Sequence, residues 1–175
     1  MTVDEYLAWA EGRPGRYELY GGEVFAMAPE RAAHAEIKGA VYEVLKAATR
    51  AARCCCHVLP DGMTVRVDPY AAHEPDALVY CGQKVAGDAI EIPEPVIVVE
   101  VLSPSTRRVD ASAKLGDYFR LPSVAHYLIV EPDPLNRLVI HHARAGDAIL
   151  TRIVTGTVVR LDPPGIEVDA NQFYA

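Results

Sequence analysis

The stretch PVIVVEVLSPSTRRVDASAKLGDYF, residues 95–119, places a carboxylate inside an otherwise apolar segment. Residues 95–99 and 101–102 form an almost unbroken β-branched and aliphatic run, which is typical of a strand buried on both faces of a sheet. Glu100 interrupts this run, and a buried carboxylate is costly unless it is protonated, paired or bound to a cation. We therefore expect a compensating group close to Glu100.

The sequence after this strand predicts a turn and then a helix. Residues 103–106, SPST, can end the strand and cap a helix. In the helical segment, Asp110, Lys114 and Tyr118 fall on one stripe because they are spaced four residues apart. Strand, turn and helix are thus expected to bring acidic and basic groups together.

The composition indicates a single domain over residues 1–175. Half of the residues are hydrophobic, which is enough for a full core. The acidic start of the chain is not followed by a long apolar run, so we expect no signal peptide, no transmembrane helix and a cytoplasmic location. The net charge of −7 argues against nucleic-acid binding by bulk electrostatics alone, but it is compatible with a metal-dependent enzyme acting on phosphates.

The four cysteines, Cys54, Cys55, Cys56 and Cys81, form no CxxC pair and have no regular disulfide spacing. Three contiguous cysteines point in different directions, which disfavours a zinc site built from them. We expect reduced thiols at a helix end, and a thiol-based sensor is the alternative function for these residues.

The rest of the pattern predicts an α/β domain with a mixed sheet. Thr2 and Glu5 have the capping-box spacing of a helix over residues 2–10, and Gly21 and Gly22 predict a hairpin between residues 16–20 and 23–27. Helical periodicity predicts a long helix from about residue 29 to about residue 53. Further strands are predicted at residues 57–59, 63–67, 74–80, 95–102, 125–130, 138–142, 148–154 and 157–161. Residues 162–165 predict a turn before a short tail.

Asp76 opens one predicted strand, and Glu100 lies in the next core strand. Two carboxylates from neighbouring strands can share a hard divalent cation such as Mg²⁺. Lys114 beside them can orient or deprotonate an attacking water and stabilise charge on a phosphate. This constellation predicts phosphodiester hydrolysis. The alternatives are a turn aspartate at Asp76 and a surface ion pair between Asp110 and Lys114.

Several strings of residues together resemble one protein family. They are YELYGGE at residues 17–23, His34, PD at residues 75–76, VEVLSPST at residues 99–106, and Asp110 with Lys114, Leu115 and Tyr118. They are similar to strings in the Uma family of predicted restriction endonucleases, within the PD-(D/E)xK nuclease superfamily. The resemblance runs from the first helix to about residue 132. One departure is that Leu102 stands where the superfamily has its lysine.

The resemblance implies a restriction-endonuclease-like fold, with a central mixed β-sheet flanked by helices and an antiparallel C-terminal meander. It implies that the lysine has moved to the following helix as Lys114. Asp76 and Glu100 would then ligate Mg²⁺ or Mn²⁺, and Glu18 would assist. The structural alternative for Glu18 is a polar residue on the outer face of the hairpin.

The same resemblance suggests which residues contact the substrate. The candidates are His34, Ser105, Thr106 and Tyr118. Arg107 is a candidate from the sequence itself, because Arg107 and Arg108 beside the capping turn could contact a phosphate; the alternative is that this arginine pair is solvated. For His34 the alternative is a core-edge histidine hydrogen-bonded to backbone. The expected function is a metal-dependent endonuclease that acts on nucleic acid, most simply DNA, as a homodimer. The alternative is a catalytically silent nucleic-acid-binding or scaffolding domain of the same fold.

Overall fold

The computed structural model describes residues 1–102, 110–133, 135, 137–155 and 158–175, and of residues 110–112 and 155 it describes only the backbone. The elements in chain order are α1 (Val3–Ala10), β1 (Tyr17–Tyr20), β2 (Glu23–Ala26), α2 (Ala32–Ala52), β3 (Cys56–Pro60), β4 (Val65–Asp68), β5 (Ala71–His73), β6 (Ala77–Cys81), β7 (Pro95–Val101), α3 (Asp110–Arg120), β8 (His126–Val130), β9 (Leu138–Ala145), β10 (Ala148–Thr155), β11 (Val158–Leu161), β12 (Ile166–Asp169) and a 3-10 turn (Ala170–Tyr174). Within these ranges no helix is long and apolar enough to cross a membrane.

A six-stranded mixed sheet occupies the centre, in the order β10-β9-β8-β7-β6-β3. β7 and β8 run parallel, and the other neighbouring strands run antiparallel. Ile97, Val98 and Val99 of β7 are fully buried, because the central strand is covered on both faces. The predicted mixed α/β architecture with a central mixed sheet is therefore confirmed.

The two faces of this sheet are covered by different helices. α2 packs its apolar stripe of Ile37, Val41 and Leu45 on one face, together with β11, β12 and the 3-10 turn. α3 packs Tyr118 and Phe119 on the other face. Side chains alternate along β7, so Val99 and Val101 face α2 while Glu100 faces α3.

A second sheet of four strands, in the order β2-β1-β5-β4, lies beside the central sheet. The predicted hairpin forms β1 and β2, and α1, with the predicted capping box at Thr2, packs against β1. The sequence pattern did not reveal the three-residue strand β5, which pairs with β1. β5 carries His73, and the chain from β5 to β6 leads to Asp76.

The end of the described chain is more ordered than the predicted short tail. The turn at residues 162–165 forms, but β12 follows it and pairs with β11, and the 3-10 turn then buries Phe173 completely. The expectation of a simple tail is therefore wrong. A four-residue strand and a five-residue turn are too short to show a clear hydrophobic period.

The cysteine expectation is partly wrong. Cys56 and Cys81 are directly opposite each other in the β3–β6 pair and are joined by a disulfide. Cys54 and Cys55 are free. Spacing along the chain could not show this pairing, because it depends on the register between two strands that are 25 residues apart.

Candidate active site

Asp76 and Glu100 lie at the same end of two neighbouring strands. Ala77 of β6 is opposite Val99 of β7, and Asp76 and Glu100 are the next residues at this end, close enough for the Asp76 charge to raise the pKa of Glu100. Asp76 Oδ2 also accepts a hydrogen bond of 2.7 Å from the backbone N–H of Val101. This bond fastens the start of β6 to the end of β7, and it holds the Asp76 carboxylate beside the Glu100 strand.

Lys114 is the compensating group expected near Glu100. Its ammonium donates to Glu100 Oε1 at 3.0 Å and to Glu18 Oε1 at 2.9 Å. Lys114 is only 3% exposed, so it is not the surface residue that the ion-pair alternative requires. The side chain of Asp110, its partner in that alternative, lies outside the described residues.

Glu18 points inward from β1 and is 6% exposed, which excludes the alternative of an outer-face residue. Its carboxylate accepts hydrogen bonds from the backbone N–H of Glu74 at 2.9 Å and from the Tyr20 hydroxyl at 3.1 Å. Burial alone would raise the pKa of Glu18, but the charge and hydrogen bond of Lys114 outweigh burial and lower it. Glu18 is therefore ionised at neutral pH.

Glu100 has the opposite balance. Burial raises the pKa of Glu100 to about 8, and the negative charges of Asp76 and Glu18 add to this rise against the opposing effect of Lys114. Glu100 thus keeps its proton to a higher pH than Glu18 does. Tyr118 stabilises the ionised form, because its hydroxyl donates to Glu100 Oε1 at 2.8 Å.

Tyr118 was predicted to contact substrate, and that contact stays a prediction. Its side chain is completely buried in the α3 face of the core. Its hydroxyl is engaged by Glu100. The structure therefore shows Tyr118 as the residue that positions the Glu100 carboxylate.

A second lysine, Lys38 of α2, was missed by the sequence analysis. Its ammonium lies 3.2 Å from Asp76 Oδ1 and also contacts Asp61 Oδ2 at 2.5 Å and Glu30 Oε1 at 2.8 Å. Burial lowers the pKa of Lys38, but the Asp76 charge and the other two acids outweigh burial and raise it. Asp61 in turn accepts a hydrogen bond from Arg16. Lys38 could have been suspected from its place beside Ile37 and Val41 on the buried face of α2.

His34 lies one turn before Lys38 on α2. Its Nε2 is 2.7 Å from the carbonyl oxygen of Val101, and its Nδ1 is 2.7 Å from Glu30 Oε1. This is the backbone-bonded arrangement that the sequence analysis gave as the alternative to a substrate contact. His34 therefore contacts the backbone of β7 at the residue that follows Glu100.

His73 was also missed, because it lies on the short strand β5. It is fully buried, and its Nε2 is 2.8 Å from Asp117 Oδ2 of α3. Its ring contacts those of Tyr20 and Tyr118. His73 thus links the four-stranded sheet to the helix that supplies Lys114.

Three of the predicted substrate contacts, Ser105, Thr106 and Arg107, lie outside the described residues, as does Arg108. The described residues after β7 begin again at Asp110, the first residue of α3.

The donor chemistry of this site fits a hard divalent cation. Glu18, Asp76 and Glu100 offer the carboxylate oxygens that Mg²⁺ and Mn²⁺ prefer, and a bound cation would oppose the burial and the neighbouring acids that raise the pKa of Glu100. Within the described residues, no three His, Cys, Asp or Glu side chains already form a metal-holding cluster. Lys38 and Lys114 instead contact these carboxylates.

The sequence profile of the Uma2 family, described as "Putative restriction endonuclease", matches residues 3–170. The chain belongs to the Uma2 family. The resemblance found in the residue strings is therefore confirmed. The match extends about forty residues beyond residue 132, where the resemblance ended, and includes β12.

Two further similarities cover nearly the whole Uma2 chain. "Uncharacterized protein slr1290" of Synechocystis sp. is 24% identical in sequence, in an alignment that covers 99% of this chain and 91% of the relative. A crystal structure of "a putative nuclease belonging to DUF820" from Anabaena variabilis superposes with a TM-score of 0.75 at 12% identity, over 99% of this chain and 97% of that one. At this identity the similarity establishes the fold.

Proposed function

We propose that this protein is a Mg²⁺- or Mn²⁺-dependent endonuclease with a restriction-endonuclease-like fold, which hydrolyses phosphodiester bonds in nucleic acid, most simply DNA. The observation that carries this proposal is the position of Lys114, whose ammonium bridges Glu18 and Glu100 beside Asp76. Membership of a family described as "Putative restriction endonuclease" supports the same reaction class.

In this proposal, Asp76 and Glu100 hold the metal ion, which when bound supplies Lewis-acid stabilisation of a phosphate. Asp76 is pre-positioned by the Val101 N–H, and Glu100 by the Tyr118 hydroxyl. The two carboxylates therefore lose little side-chain freedom when they bind a cation. Glu100 must release its proton to act as a ligand, so metal affinity rises with pH.

Lys114 supplies a positive charge at a buried position, where charge acts more strongly than in water. Glu18 keeps Lys114 in place through a 2.9 Å contact. Lys114 can orient the attacking water or stabilise charge on the phosphate from there. Glu18 acts by positioning this lysine.

Lys38 has a different role, because it contacts Asp76 from the opposite face of the sheet. It offsets the Asp76 charge in the metal-free protein. When a cation binds Asp76, Lys38 can keep its ion pairs with its other partners, Glu30 and Asp61.

One observation favours the alternative of a catalytically silent domain. Among the described residues, the site acids already have lysine, tyrosine or backbone partners, and no three-ligand cluster is present. A silent domain could keep this network for stability alone. The two functions differ in whether Asp76 and Glu100 respond to a divalent cation.

The deciding experiment measures the melting temperature at pH 8 with increasing Mg²⁺ or Mn²⁺, together with cleavage of double-stranded DNA, single-stranded DNA and RNA. We expect the wild type to be stabilised by either metal, because a ligand that binds the folded state raises its stability. Asp76→Asn and Glu100→Gln should lose this stabilisation and cleavage. Glu94→Gln is the matched control, because Glu94 is an exposed glutamate just before the same strand.

Metal stabilisation that persists in both Asp76→Asn and Glu100→Gln would overturn the metal assignment. A wild-type protein that binds neither metal and cleaves none of the three substrates would favour the silent domain. Metal binding that depends on Asp76 and Glu100, without cleavage, would support the metal site and exclude these three nucleic acids as substrates.

A further inference from the structure

β10 is the outer strand of the central sheet and exposes apolar side chains. It runs for eight residues, Ala148–Thr155, and β9 is its partner on one side. Ile149, Leu150 and Ile153 are 42%, 43% and 70% exposed. A long edge strand with exposed apolar residues is a ready template for pairing with another strand. No charged residue other than Arg152 interrupts this edge.

Alternation along the hairpin defines which backbone groups of β10 face outward. The N–H of Arg144 bonds to Ala125 O, so the even-numbered residues of β9 direct their backbone groups toward β8. The odd-numbered residues of β9 therefore face β10, where their partners are Ala148, Leu150, Arg152 and Val154. The backbone groups of Ile149, Thr151 and Ile153 consequently point away from β9.

We propose that β10 is the surface through which two copies of this chain associate, with the two β10 strands antiparallel about a two-fold axis centred on Thr151. In this register Thr151 faces the partner's Thr151, and Ile149 faces the partner's Ile153 on each side of the axis. These are the residues whose backbone groups point outward, so the paired strands satisfy each other's donors and acceptors. The two central sheets then become one continuous sheet.

The charges of β10 select the same register. A two-fold axis centred on Arg152 would place two like charges opposite each other, which is unfavourable. The axis at Thr151 places Arg152 opposite the partner's Leu150, where its alkyl stem can cover the leucine while its guanidinium stays in water. It also pairs isoleucines, which are among the favoured cross-strand partners. The edge is therefore complementary to a second copy of itself.

The proposal does not depend on nuclease activity, and its test reads association directly. Sedimentation equilibrium of the full chain should show a dimer. Ile149→Glu and Ile153→Lys should each weaken the dimer by about tenfold or more, because each places a charge opposite an isoleucine near the centre of the interface. The double variant, with both substitutions in one chain, should recover association because each glutamate then faces a lysine.

Ile90→Lys is the matched control, since Ile90 is a 58% exposed isoleucine in the loop between β6 and β7, outside β10. Circular dichroism of every variant checks that its fold is retained. A monomer at all concentrations would overturn the proposal. A dimer that the two single variants leave intact would overturn it as well, and so would a double variant as weak as the singles.

Cysteine cross-linking tests the register without introducing a charge. Opposed residues in a hydrogen-bonded antiparallel pair have Cα atoms about 5.5 Å apart, which a disulfide can span. Thr151→Cys should therefore form a covalent dimer under mild oxidation, and Leu150→Cys, displaced from the axis, should not. The wild type, with its free Cys54 and Cys55, measures the background. Equal cross-linking of both variants would reject this register.

Discussion

The two lysines of the site neutralise their acids in different surroundings. Lys114, on α3, lies between Glu18 and Glu100, whose side chains are 7% and 12% exposed. Lys38, on α2, contacts Asp76, which is buried, but also Glu30 and Asp61, which are 36% and 31% exposed. Charge interactions weaken with solvent exposure. The α3 lysine is therefore placed to affect chemistry, whereas the α2 lysine mainly balances charge.

The largest expected effect comes from comparing the two lysines in cleavage. Lys114→Ala should slow cleavage by about 10²- to 10³-fold, the usual loss when one preorganised electrostatic group is removed. Lys114→Arg should rescue poorly, because a guanidinium differs in shape and does not release its proton. Lys38→Ala should slow cleavage at saturating metal by less than about tenfold, because the metal ion then offsets the Asp76 charge that Lys38 offsets in the metal-free protein.

Single-turnover cleavage at saturating metal measures both variants, and Lys84→Ala, in an exposed loop, is the control. Equal effects of Lys114→Ala and Lys38→Ala would remove the distinction between the two lysines. Unchanged cleavage in Lys114→Ala would reject Lys114 as the superfamily's displaced lysine.

A second test uses the pH dependence of stability without metal. The pKa of Glu100 is raised from 4.5 to about 8, so between these values the folded chain keeps a proton that the unfolded chain has released. Stability from this group is therefore complete below about pH 4.5 and is lost as pH rises through about 8. Glu100→Gln should flatten this decline and raise the melting temperature at pH 8 relative to the wild type.

The measurement is the difference in melting temperature between the wild type and Glu100→Gln from pH 5 to pH 9. Glu94→Gln again serves as the control, and it should follow the wild type throughout. A Glu100→Gln protein that is much less stable than the wild type at pH 8 would instead mark Glu100 as part of a structural ion pair with Lys114.

The smallest expected effect comes from Tyr118→Phe, which removes one hydrogen bond to Glu100 and leaves both lysines in place. Because that bond favours the ionised carboxylate, its loss should raise the pKa of Glu100. The pH at which Mg²⁺ begins to stabilise the protein should rise by roughly one unit, as expected for a bond of about 1.5 kcal/mol to a charged group. An unchanged pH midpoint would show that the Tyr118 hydroxyl does not tune Glu100.

The sequence predicted those parts of the site whose residues stand out from their neighbours in the chain. Glu100 was detectable as one charge in a buried apolar strand, and the Gly21–Gly22 turn marked the hairpin that carries Glu18. The mixed sheet followed from strand-like and helix-like periods along the chain. These features appear in the structure as predicted because each depends on residues that lie close together in the sequence.

The parts that were missed depend on contacts between distant elements. Lys38 lies on the buried face of an amphipathic helix, but its acidic partners Asp61 and Asp76 come from other elements, which the helical period does not reveal. β5 has only three residues, so its His73 could not be placed. The contact between Glu18 and Lys114 joins residues 96 positions apart. The Cys56–Cys81 bridge likewise depends on the pairing of two strands.

The 3-10 turn near the end of the described chain affects the order in which the protein folds during synthesis. Phe173 and Ala170, together with β12, pack against α2, the helix that carries His34 and Lys38. During synthesis β3 and β6, which pack on the same helix, follow it within about thirty residues, whereas β12 and the 3-10 turn leave the ribosome more than one hundred residues after it. The part of α2 that packs on β12 and the 3-10 turn therefore stays uncovered at first, and the half of the site attached to α2 reaches its final packing only once residues 166–174 have been made.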